Sequence, residues 1–257
     1  MALHLKTIEQ VQSEQTDEEI DIKFVYCKGI DVDYEIAPKP QRMTHFFPDK
    51  MKGHELNVSP EKVDSKELTG YSIKSCMPFT DCMKLGFGIP LWHYLFVRNG
   101  TAYDTRLNQG MSSDDPYRLT SHDKGQLDNT TIDTLKLPST VLKLVNPWRV
   151  ITPEGWSCLF TAPYHRDDIP IKIMSGVVDT DRYYTSVQFP FTVDKDFAGE
   201  VPIGTVVAQV IPFKRVNSKM AMSYMNEKEE KELNMGRGKL LRKSKSHYLE
   251  HYRDKRR

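Results

Sequence analysis

Cysteine is scarce in this 257-residue chain, and none of the four is spaced Cys-x-x-Cys from another. Cys27, Cys76, Cys82 and Cys158 therefore offer no zinc-finger spacing. In a chain this long they do not suggest a disulfide scaffold either, so reduced thiols and a cytoplasmic protein are expected. No run approaches the ~18 apolar residues that a membrane-spanning helix needs, and no membrane contact is expected. The opening MALHLKTIEQ lacks the apolar stretch of a signal peptide. Net charge is almost absent as well: 36 Lys and Arg stand against 35 Asp and Glu, a formal +1. The molecule as a whole has no strong electrostatic preference for nucleic acid.

That near-zero balance is unevenly distributed. Residues 236–257 hold nine Lys and Arg and two acids, a net of +7, which leaves −6 on residues 1–235. A basic tail on an acidic body suits contact with phosphates or with an acidic protein surface. Its Leu241, Tyr248, Leu249 and Tyr252 fall at near-helical spacing, so the tail reads as an amphipathic helix.

The rest of the chain divides by texture. Residues 1–20 read as a polar arm. Residues 21–136 read as an irregular α+β segment packed on the core. It holds a strand in IDIKFVYC, a short helix at Pro78–Leu85 stopped by Gly86, and a strand IPLWHYLFVR that turns at Asn99-Gly100 into a return strand. MSSDDPYRLTSHDKGQLDNTTID is polar and reads as a surface loop. From residue 137 to 216 short β-rich runs are broken by Pro or Gly every 8–12 residues, the signature of a β barrel or double-sheet roll. Residues 217–257 read as a helical basic tail. The fold class expected is mainly β, α+β overall.

Within the β module, ITPEGWSCLFTAP, SGVVDTDRYY and IPIGTVVAQVIP occur in an order that resembles the dUTPase and dCTP deaminase superfamily. The resemblance runs over Thr152–Phe213 and implies a β-clip, or dUTPase-like barrel, that assembles as a homo-oligomer, a trimer first of all. It also implies site residues. Asp179 matches the aspartate that activates water as a general base. Arg166, Asp181, Tyr183 and Gln209 are the candidate nucleotide-binding residues it implies, with Arg166 displaced from the family's arginine and Tyr183 one step later than its tyrosine. Mg²⁺ is implied only if the chain hydrolyses nucleotides; otherwise neither cofactor nor metal is expected.

The motifs depart from the family pattern. Arg182 stands where the sugar-stacking tyrosine belongs, and Tyr184 replaces a glycine. YHRDD replaces Arg-Ser-Gly, and the Gly-rich closing arm and the deaminase glutamate have no counterpart. The whole chain also resembles a family of tailed phages and some bacterial genomes, through KSCMPFTDCMKLGFGIPLW, NPWRVITPEGWSCLFTAP and VAQVIPFKR. That likeness implies phage origin, with the host cytoplasm or the virion as its place, and no particular activity. The expected function is a non-catalytic accessory or structural role through protein or nucleic-acid contacts. The alternative is a nucleotide-binding protein, or a nucleoside-triphosphate pyrophosphatase or deaminase relative, with a site rearranged around Asp179.

Residue chemistry supplies a plainer account of the same positions. Asp179 and Asp181 flank a strand-to-turn junction, where aspartates bond nearby backbone N–H groups. Gln209 can brace strands. His165-x-Asp167 begins an iron-type triad, but its distal histidine would have to be His247 or His251 in the tail, so no metal site is expected. Trp148 and Trp156 read as core or rim aromatics, and Cys76 and Cys82 as buried thiols.

Overall fold

A computed structural model describes residues 19–27, 34–35, 37–52, 73, 76–104, 119–122, 126–138 and 141–237. Most of the polar arm and all of the tail beyond Arg237, with Leu241, His247, Tyr248, Leu249, His251 and Tyr252, lie outside them. The chain forms two compact units. The first comprises Met1–Asp49 and Asp81–Arg215; the second comprises Lys50–Thr80 and Val216–Arg257.

The first unit is mainly β, built from fourteen described strands. In chain order they are β1 (Lys23–Tyr26), β2 (Gln41–Arg42), β3 (Phe87–Pro90), β4 (Leu95–Arg98), β5 (Thr101–Asp104), β6 (Leu119–Ser121), β7 (Leu142–Leu144), β8 (Trp148–Ile151), β9 (Trp156–Thr161), β10 (Ile171–Ile173), β11 (Gly176–Val178), β12 (Phe189–Val193), β13 (Gly199–Val201) and β14 (Val206–Lys214). They make four open antiparallel sheets: β1-β8, β10-β12-β7-β6, β11-β9-β14-β3-β2 and β13-β4-β5. Among the described residues no sheet closes into a barrel. Beside the strands lie α1 (Asp49–Lys52), α2 (Met77–Lys84), α3 (Asn129–Leu135) and a 3-10 turn at Met43–Phe46. Among the described residues no helix is long and apolar enough to cross a membrane.

Alternation writes the core. In β4 and β5 every second residue is buried, and β14 enters the centre of its sheet with five consecutive buried residues, Val206–Val210. Such a run fits a strand covered on both faces. Phe160, Phe191, Leu95, Ile89 and Val210 are among the side chains that fill the interior. Trp148 is buried with them, and Tyr26 meets its ring edge-on at 5.3 Å.

Segments from the first half of the chain are members of these sheets. β3 lies between β14 and β2, β1 pairs along all of β8, and β4 lies between β13 and β5. The strand expected over IPLWHYLFVR is two strands. Pro90 has no N–H to continue the ladder, and Leu91 instead exchanges bonds with Thr205 O and Gly204 N at 2.7 and 2.8 Å. That crossing carries the chain into a second sheet. Asn99 and Gly100 then adopt φ of 53° and 69°, the primed turn their sequence predicts.

The loop expected over MSSDDPYRLTSHDKGQLDNTTID holds β6 and the start of α3. Asp128 is the reason for the helix: its carboxylate accepts the Thr131 N–H at 2.9 Å, an N-cap that the surrounding polar composition obscures. The helix expected at Pro78–Leu85 is α2, and Gly86 follows it at φ 71°.

In the second unit, MAMSYMNEKEEKELNM (residues 220–235) is helical only from residue 227, and the helix continues to residue 237 among the described residues. Asn226 fixes that start. Its Oδ1 accepts from Lys228 N and Glu229 N, both at 3.0 Å, and its own N–H donates to Glu229 Oε2 at 2.8 Å. Residues 216–225 have no regular secondary structure.

Candidate functional site

The stretch GVVDTDRYY leaves the sheet at β11 and turns at once. The carbonyl of Asp179 accepts the N–H groups of Arg182 and Tyr183 at 2.9 and 2.8 Å. The local backbone bonds thus involve the main chain of Asp179. The two aspartate side chains reach across the sheet instead, which differs from the local pairing expected of them.

Asp181 points inward and its side chain is 3% exposed. Arg215, just past β14, grips it through both terminal nitrogens: Nη1 donates to Oδ1 at 2.9 Å and Nη2 to Oδ2. Gly155 N–H adds a bond to Oδ2 at 2.8 Å. A bidentate guanidinium and a backbone donor both favour the charged carboxylate. They hold the Asp181 pKa at about 2, the Arg215 hydrogen bond being the largest cause, and the pairing raises Arg215 in turn.

Asp179 stands at the mouth of the same cluster, 54% exposed. Its Oδ1 accepts from Ser157 Oγ at 2.6 Å and lies 3.3 Å from Arg215 Nη1. Arg215 Nη1 also reaches Trp156 O and Ser157 Oγ, each at 2.9 Å. Beneath them Thr152 and Thr180 share a hydroxyl bond at 2.8 Å, and Thr180 donates to Cys158 Sγ at 3.4 Å. Burial pushes the Cys158 thiol up. Cys76, expected buried, is exposed, and Cys82 is half-buried.

Chemically, this is a saturated ion cluster with one wet carboxylate. Asp181 is ionised at neutral pH and its oxygens are occupied, which makes it a counter-ion for Arg215. Ser157 is fully buried, so its hydroxyl meets no substrate. Asp179 alone of the three acceptors faces water. Mg²⁺ does not fit here, because both Asp181 oxygens already accept from Arg215 and Gly155. Among the described residues no group of three or more His, Cys, Asp or Glu is arranged to hold a metal.

Gln209 is fully buried within β14. Its Oε1 accepts Tyr164 N–H at 3.0 Å, and its Nε2 donates to Cys82 O and Leu85 O at 2.9 and 2.7 Å. It fastens the loop after β9 and the end of α2 to the central strand. Arg166, in that loop, is spent on Asp168 at 2.7 and 2.8 Å and on Phe46 O at 2.8 Å. The Arg166 hydrogen bonds lower the Asp168 pKa. Arg166 also forms part of the wall of a cleft of about 350 Å³, with Phe46, Phe197, Glu200 and Thr205. Asp167 pairs with Lys172, and His165 sits in a left-handed turn at φ 58°.

The expected site residues therefore fall into two groups. Asp179, Asp181 and Tyr183 share the turn after β11; Arg166 and Gln209 share the Tyr164–Arg166 loop. No hydrogen bond joins the two groups among the described residues. Tyr183 is partly exposed beside Tyr184, ring centres 6.3 Å apart. Sequence reasoning missed Arg215, which organises the cluster. It lies 34 residues from Asp181, where the texture turns polar, and no local pattern marks it. No family model matches the chain, and no curated protein matches it.

Proposed function

We propose that the chain is a non-catalytic accessory or structural protein, phage-encoded and built on a dUTPase-like β-clip module. It works as a homo-oligomer, a trimer on the pattern of the family it resembles, through protein or nucleic-acid contacts. The observation that carries this reading is the Arg215 clamp. Three of the four candidate nucleotide-holding residues are spent on the fold: Asp181 on Arg215 and Gly155, Gln209 on three backbone groups, Arg166 on Asp168 and Phe46. A site whose polar groups are already satisfied has few left for a substrate. The basic tail supplies the charge for contacts with phosphates or an acidic surface, and such binding weakens steeply with salt.

A second reading rests on Asp179. A half-exposed carboxylate steadied by Ser157 is furnished as a general base. On that reading the chain binds, or slowly hydrolyses, a nucleotide at a site rearranged around Asp179.

One experiment separates the two. Thermal melts are recorded with dUTP, dCTP and the other nucleotides, with and without Mg²⁺, beside a pyrophosphate-release assay. A ligand at a hundred times its Kd adds about 2.7 kcal/mol and visibly shifts the melt. Flat melts and no release are expected. A shift or a release that disappears in Asp179→Asn would transfer the function to the second reading.

A further inference from the structure

The last turn of the clamp leads directly into a segment with no bonded partner among the described residues. From Val216 to Met225, among the described residues, no hydrogen bond or ion pair is made by any backbone or side-chain group. Val216, Met220, Met222 and Tyr224 occupy every second position but one, and they are between 74% and 101% exposed. Lys219 is the segment's one charge. Ten residues with idle backbone donors and acceptors and an apolar period of two are furnished as a strand whose partner is elsewhere.

The same chain presents an open edge for such a strand. β11 ends its sheet, with no described strand beyond it. Gly176–Val178 carries no charge, and Val177 is 62% exposed. Natural sheets guard an edge with charge, proline, a bulge or shortness; β11 has no charge, proline or bulge and is short, three residues long. Val177 heads a cross-strand row with Leu159 and Ile211, both only partly buried. A strand laid beside β11 would set its apolar side chains along that row. The clamp also fixes where the segment departs. Arg215 lies 3.3 Å from Asp179, the residue that follows β11. Donor root and acceptor end therefore share one end of one sheet.

We propose that residues 216–225 are a strand-donating arm that pairs with the β11 edge of a second copy of this chain. A second copy is the occupant because each copy supplies both halves, an uncharged edge and an apolar arm, so the exchange satisfies two exposed features at once. The main-chain bonds supply attachment, and the alternate Met and Tyr side chains set register. The inference gives the Arg215 cluster a task, holding the arm's root in place. It deepens the expectation of a homo-oligomer and does not depend on whether Asp179 acts on a nucleotide.

The test is sedimentation velocity of the full chain over a wide concentration range. The variants are Met222→Glu in the arm and Val177→Lys on the edge; both side chains are exposed, so folding is kept. Self-association of the natural chain, weakened at least about tenfold in Kd by each variant, is expected. A mixture of the two variants should associate more tightly than either alone, because the intact arm of one meets the intact edge of the other. A natural chain that stays monomeric throughout overturns the proposal, as does association untouched by Met222→Glu. Loss in Met222→Glu with none in Val177→Lys overturns β11 as the acceptor. Nucleotide melts on the same samples report separately on the function proposed above.

Discussion

Replacing Gln209 by Met is the sharpest test of how this fold is braced. The two side chains have similar volume, so the substitution removes polar atoms without opening a cavity. Three partners lose their bonds: Tyr164 N–H, Cys82 C=O and Leu85 C=O, at 3.0, 2.9 and 2.7 Å. A buried group left unpaired costs about 1–3 kcal/mol, and local relaxation will let some water reach the loop, so a total loss of about 3–5 kcal/mol is expected. That is about a fifth or more of the 5–15 kcal/mol stability of an ordinary domain. Urea unfolding followed by the fluorescence of Trp92, Trp148 and Trp156 measures it. Hydrogen exchange at Tyr164 N–H supplies a local check, since that amide should lose its protection first. Gln209→Glu should be worse than Met at neutral pH. A carboxylate cannot donate to two carbonyls, and burial raises its pKa in the folded state. Its penalty therefore grows as pH rises above the unfolded value of about 4.3 and eases below it. A Gln209→Met variant within about 1 kcal/mol of the natural chain would refute the bracing argument.

Asp181→Asn should flatten part of the acid limb of stability. The folded pKa of Asp181, about 2, lies below its ordinary value of 3.8. Its contribution is therefore complete above that ordinary value and is lost as pH falls toward 2. Subtracting the variant's urea midpoints from those of the natural chain across that window reads it out, and parallel curves would remove Asp181 from the account. Gly86→Ala should prevent folding, at a cost of more than ~3 kcal/mol. A Cβ there would sit 2.1 Å from Val210 O, on a backbone at φ 71°. Gly100→Ala, at φ 69° but with its nearest neighbour 3.7 Å away, should cost only about 1–2 kcal/mol. Equal losses in these two variants would show that the clash is relieved by movement of β14.

Much of the local structure could be read along the chain because its causes are local. The turn at Asn99-Gly100, the stop at Gly86 and the alternation of β4 and β5 each depend on residues within a few positions. The Asp128 cap and its helix were equally local and were hidden by a polar neighbourhood. The break at Pro90 was not read, and one strand was expected across it; Gly204 and Thr205, over a hundred residues on, take over the bonds there. Of the candidate site, the sequence pointed to the two aspartates and to Gln209 but not to what they touch.

The sequence by itself determined a mainly β chain with an acidic body and a basic tail, because strand periodicity, turn residues and charge are properties of neighbouring residues. Tertiary structure alone decided that β3 lies between β2 and the far later β14, that Arg215 closes on Asp181, and that Gln209 is spent on Tyr164, Cys82 and Leu85. The reason is sequence separation. Arg215 finds its partner 34 residues back and Gln209 reaches back 127 to Cys82, and bonds over such spans are fixed by how strands stack rather than by any pattern along the chain.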